Sequence, residues 1–98
     1  MLVHHEKITG TTVTGTFTAN TQRLKFGLLR EVIVKPATET TTYDVSLTND
    51  QSLVVFQRKA QTGSIGIEVA LPIHAIYTFK IDNASEDEAF TAQMIMEE

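Results

Sequence analysis

Apolar and polar residues alternate along most of this chain, and a period of two predicts strands, because successive side chains of an extended backbone leave on opposite faces. The clearest run is Ile73, Ala75, Tyr77, Phe79 and Ile81, interleaved with His74, Ile76, Thr78, Lys80 and Asp82. It predicts one strand with an inside and an outside. Thr11 to Ala19 reads the same way, with Val13, Gly15, Phe17 and Ala19 on one face and threonines on the other, where a stiff β-branched side chain suits a pleated surface. Asn20 to Lys25 is a polar connection. Leu28 to Lys35 carries Leu28, Val32 and Val34 on one side and Leu29 and Ile33 on the other, which predicts a central strand or one at a subunit contact.

Pro36 stops that strand because it lacks an amide donor. Tyr43, Val45 and Leu47 then alternate with Thr42, Asp44, Ser46 and Thr48, and Asn49-Asp50-Gln51-Ser52 supplies the turn chemistry of a hairpin into Leu53 to Lys59. Gln61-Thr62-Gly63-Ser64 turns into Ile65, Ile67 and Val69, and Pro72 begins or interrupts the approach to the strand at Ile73. Ala89 to Met96 closes the series with Phe90, Ala92, Met94 and Met96 on one face. A helix over Ser85 to Met96 competes there, since Ser85-Glu86-Asp87-Glu88 resembles a capping box. About eight short strands with frequent turns predict an all-β chain, an antiparallel β-sandwich or jelly roll. Residues 1–98 are expected to form one domain, with 1–8 as an amino-terminal arm.

Composition agrees in size and narrows the class. A chain of 98 residues buries roughly 60–65% of the surface its unfolded form exposes, enough for one core. The absence of cysteine excludes a disulfide framework, a thiolate zinc site and a cysteine nucleophile. The formal charge of −4 and scattered basic residues, only Arg58-Lys59 adjoining, argue against a nucleic-acid partner. Acids gather late, at Asp82, Glu86, Asp87, Glu88, Glu97 and Glu98. No apolar run approaches membrane-spanning length and the first residues lack a basic then apolar leader, so neither a membrane partner nor a signal peptide is expected.

Chemistry-bearing residues are few. His4-His5-Glu6 has metal-ligand residue types, but neighbours on a strand face opposite ways, so the two imidazoles do not reach one ion. His74 falls among outward residues with no local nucleophile or orienting acid. Asp82, Asn83, Asp87 and Glu88 offer oxygen ligands to calcium, without the spacing of a helix-loop-helix site. Asn83-Ala84-Ser85 is formally a glycosylation sequon, and the five glycines are too dispersed to cradle a phosphate. The chain is therefore expected to be no enzyme and to take no cofactor.

The stretches Gly27 to Arg30, Val34-Lys35-Pro36-Ala37-Thr38, Thr42 to Val45, Leu71-Pro72-Ile73 and Ile76 to Ser85 resemble small β-sandwich virion proteins of tailed bacteriophages, over about the last two-thirds of the chain. The resemblance implies a structural role in the virion, assembled in the host cytoplasm, as a capsid cement or decoration protein, or alternatively in a head-to-tail or tail assembly. It implies partners of the same kind: further copies of the chain, the major capsid protein or other virion proteins. The residues offered for such contacts are Leu2, Val3, Leu29, Ile33, Phe56 and Arg58. Leu29 and Ile33 fit core and interface equally, whereas Phe56 favours an interface because Gln57, Arg58 and Lys59 follow it. A carbohydrate- or receptor-binding module would want exposed aromatic platforms, and there is no tryptophan. A small sandwich hydrolase would want a catalytic constellation, and none is present.

Overall fold

The computed structural model describes residues 3–21, 27–73 and 76–97. Eight strands follow one another: β1 (Val3–Thr11), β2 (Phe17–Asn20), β3 (Gly27–Pro36), β4 (Thr42–Thr48), β5 (Val54–Thr62), β6 (Ile65–Ile73), β7 (Thr78–Asp82) and β8 (Ala89–Glu97). They form two four-stranded antiparallel sheets, β1-β8-β3-β6 and β2-β7-β4-β5. β4 and β5 make a hairpin, and β3 pairs with β6, β2 with β7, and β1 with β8, as in one long hairpin. Rolling that hairpin joins β3 to β8 and β4 to β7. This is the jelly-roll arrangement, and every connection except the β4–β5 turn passes from one sheet to the other.

The core lies between the sheets and follows the alternation. Tyr43, Val45 and Leu47 from β4, Phe79 and Ile81 from β7, and Phe90, Ala92, Met94 and Met96 from β8 are buried against Leu29, Val32 and Val34 of β3. Met94 and Met96 fill gaps between branched neighbours, as unbranched side chains do. Tyr43 meets Phe90 edge to face, with centroids 5.0 Å apart. Ala89 to Glu97 is a strand, so the competing helix is not formed; nine consecutive pairs to β1 provide the ladder. The β4–β5 turn is as expected: the Asn49 side-chain carbonyl accepts from the amides of Gln51 and Leu53.

Four expectations are corrected. Residues 1–8 are no arm where the structure describes them: Val3 to Ile8 belong to β1, Ile8 is in the core and Glu6 is buried. Thr11 to Ala19 is not one strand. Thr12 to Thr16 turn, closed by the Val13–Thr16 bridge, with Thr14 and Gly15 at positive φ and Val13 exposed. The run from Ile73 to Ile81 is not continuous either: Ile73 ends β6 in the first sheet, and β7 starts at Thr78 in the second. Its inward residues Ile73, Tyr77, Phe79 and Ile81 are buried all the same. His74 and Ala75 lie outside the described residues. Finally, Leu29 and Val32 share a face despite their odd spacing, because a bulge at Arg30 shifts the register of β3.

Candidate interaction surface

The two lateral sides of the sandwich are built differently. Where β1 and β2 meet, Phe17 lies directly over Gly10, and a methyl group on that glycine would fall within the ring. The missing side chain is what lets the aromatic ring close that side. Thr12 stitches the same end: its hydroxyl donates to the Ser85 carbonyl at 2.6 Å and accepts from the Glu88 amide at 2.9 Å.

The opposite side is bounded by β5 and β6, each the edge strand of its own sheet. They are joined by the tight turn at Gly63 and Ser64. Gly63 has φ +68, and a Cβ there would lie 2.6 Å from the Glu39 carbonyl oxygen, so only glycine fits. The turn is held from three directions. The Tyr43 hydroxyl donates to the Gly63 carbonyl at 2.6 Å, the Gly63 amide donates to the Thr41 carbonyl at 3.0 Å, and the Glu39 carboxylate accepts from the amide and hydroxyl of Ser64. Burial pushes the Tyr43 hydroxyl up to about 12, with the Glu39 charge adding to the shift, so it stays a donor.

Beyond that turn the strands do not pair, and they leave an open cleft of about 600 Å³ between residues 54–58 and 68–71. The inner face of β6 has no covering strand on this side. Ile65, Ile67, Val69 and Leu71 are therefore only half-buried, although they point the same way as the core. On β5, Phe56 stands opposite Leu47 and is buried, while Arg58 stands opposite Val45, at the next inward position. The Arg58 guanidinium lies 5.0 Å over the Phe56 ring and donates to the Gln57 carbonyl. A charge at an inward position of an edge strand keeps that edge from closing on its own sandwich and from pairing indiscriminately. Lys59 and Ala60 form a bulge opposite Asp44; Ala60 takes φ 55 and its amide donates to the Asp44 carboxylate.

The residues expected at an interface are dispersed. Leu2 lies outside the described residues. Val3 is half-exposed on β1 and Ile33 half-buried on the outer face of the first sheet, away from the cleft. Leu29 has no exposed area and is a core residue, brought inward by the bulge beside it. Phe56 is 7% exposed, so it forms the cleft wall instead of a protruding contact. Arg58 is exposed at the cleft rim. Among the described residues only Phe56 and Arg58 come together, and Glu68, Val69 and Leu71 of β6, which also line the cleft, are not among the expected residues. Pro72 was the available signal, since a proline inside a strand marks an edge.

Asp82 at the end of β7 and Glu88 before β8 hold neighbouring loops. Asp82 accepts from the Thr16 hydroxyl and the Asn83 amide, Asn83 donates to Asp44, and buried Glu88 accepts from the Thr38 amide at 2.7 Å. Among the described residues no three His, Asp or Glu side chains are placed to hold a metal ion. Hydrogen bonds hold three carboxyls below their ordinary values: Glu39 from 4.5 by Ser64, Asp44 from 3.8 by the Ala60 amide and then Asn83, and Asp82 from 3.8 by Thr16 and then Asn83. A depressed folded-state pKa contributes stability above the unfolded value and loses it as pH falls through the folded one. Denaturant midpoints should hold steady down to the ordinary carboxyl range and fall below it, and Asp44→Asn should flatten that fall. A midpoint that does not change down to about pH 3 would contradict the assignment.

No family model matches the chain, and no curated protein does. Among solved structures it is similar to the Yersinia pseudotuberculosis-derived mitogen, with a TM-score of 0.61 at 11% identity over 99% of this chain and 89% of that one. At that identity the fold is what is shared. It also matches the Drosophila NLP core, described with pentamer formation and histone binding, at a TM-score of 0.45 and 14% identity over 95% and 98% of the two chains. A third match is the infectious bursal disease virus Gt strain, at 0.41 and 8%, covering 97% of this chain and 32% of that one.

Proposed function

We propose that the chain is a non-enzymatic structural component of a bacteriophage particle, a capsid cement or decoration protein that binds the lattice through oligomeric contacts. The observation that carries the reading is the open β5–β6 side, where half-buried Ile65, Ile67, Val69 and Leu71 extend the core face beyond the last strand covering it. A domain with no need of a partner would close that side, as Phe17 closes the other. Jelly rolls are one of the architectures of viral capsid domains, which agrees with the sequence resemblance to phage virion proteins. Thr12, Asp82 and Glu88 at the ends of the sandwich are taken up in holding loops, which supports a role carried by surfaces. Head-to-tail or tail assembly would use the same surface.

The test is composition and binding. Mass spectrometry of purified particles should find the chain at a copy number in fixed ratio to the major capsid protein, and particles stripped of it should bind it again and withstand heating better. Particles without it, or a ratio of a few copies per particle, would reject the cement role, the latter in favour of the connector or tail.

A further inference from the structure

We infer that the occupant of the β5–β6 opening is a second copy of this chain, docked about a two-fold axis parallel to the strands, so that β6 of each copy pairs antiparallel with β5 of the other. This rests on the reading of the chain as an oligomeric assembly component and names its first contact.

Edges and charges both lead there. β5 and β6 each present one unpaired edge to the same side, and each is nine residues long. A two-fold axis has two ways of bringing those sides together. Perpendicular to the sheets, it would set β6 against β6 and β5 against β5. In any register, that brings no opposite charges together, since Glu68 is the one charge on β6 and Arg58 and Lys59 are the charges on β5. Parallel to the strands, it sets β6 against β5 at the same height. Lys59 lies three residues from the strand end at Thr62 and Glu68 three from the strand end at Ile65, both on the outer face of their sheets, so the acid of one copy meets Lys59 of the other, twice over. Among the described residues neither Glu68 nor Lys59 has an ion pair, and the Arg58 guanidinium binds only its own strand and the Phe56 ring. Like charges directly opposite destabilise a strand pair, while opposite charges stabilise it. The second arrangement is therefore favoured, and it is self-complementary, as an isologous contact must be. Strand addition of this kind takes its affinity from main-chain hydrogen bonds, and it would cover Ile67, Val69 and Leu71. Pro72 ends the pairing, since it offers no amide.

Mixing charge variants tests the orientation. Glu68→Lys and the double variant Arg58→Glu/Lys59→Glu should each run as monomers in size-exclusion chromatography with light scattering, with wild-type circular dichroism. Mixed one to one they should form a dimer, because the lysine introduced in one copy then faces the acid introduced at 59 in the other, and Glu68 of that other copy faces an intact Lys59. In a chain with no native cysteine, Lys59→Cys/Glu68→Cys should give a covalent dimer on oxidation. A wild-type chain that stays monomeric at high concentration, a mixture that stays monomeric, or Glu68→Cys alone cross-linking efficiently would overturn the proposal. A monomer that still binds particles would sink this contact and leave the virion role standing; a dimer missing from particles would do the reverse.

Discussion

Removing residues 1–8 is expected to abolish the cooperative fold. Residues Val3 to Ile8 pair with Glu97 to Ala92 of β8 and carry Ile8 into the core and Glu6 beneath the sheet. Burial of the Ile8 side chain is worth about 1.5–3 kcal/mol, and the ladder hydrogen bonds add about 1 kcal/mol each. The truncation would also turn β8, with Met94 and Met96, into a bare apolar edge. Set against a net stability of about 5–15 kcal/mol for a domain, that loss is most of the total. Far-ultraviolet circular dichroism of the shortened chain should show no cooperative urea transition. A midpoint equal to that of the full chain would mean that β1 contributes nothing and that residues 3–8 behave as an arm after all.

Tyr43→Ala should cost about 3–5 kcal/mol, the range for deleting a large core ring. Tyr43 has no exposed area, packs edge to face on Phe90, and its hydroxyl satisfies the Gly63 carbonyl. Tyr43→Phe separates the two contributions. It keeps the ring and leaves the carbonyl without its donor, which should cost about 1–3 kcal/mol. Because that carbonyl sits in the turn joining β5 to β6, the phenylalanine variant should also speed amide exchange around Gly63 and Ser64. Equal midpoints for wild type and Tyr43→Phe would show that the turn is held by Glu39 and Thr41 alone.

The inward faces of β4 and β8 were plain in the sequence because a strand with one wet side writes its burial as strict alternation, as at Tyr43, Val45 and Leu47. The same pattern misled where the backbone changes direction without changing parity. Ile73 to Ile81 keeps its period across the passage from one sheet to the other, so alternation alone could not show the break. Thr12 to Thr16 turns through positive φ at a threonine, where turn chemistry favours glycine or asparagine. β1 was hidden by its own composition, since only Glu6 and Ile8 of its first residues are buried and one of them is charged. The jelly-roll wiring rests on pairings such as β1 with β8 that join opposite ends of the chain, and no local pattern carries those. The cleft was illegible for the same reason. Arg58 and Glu68 become neighbours of one opening only when two different sheets leave their edges on the same side.

The claim that the β5–β6 side is the working surface is tested most directly by hydrogen exchange on the full chain, dilute and free, against the chain bound to purified capsids. Amides in 54–59 and 65–71 should slow on binding while those of the β1–β2 side do not change. Unchanged exchange in both segments, with protection arising on the outer face of either sheet, would contradict it.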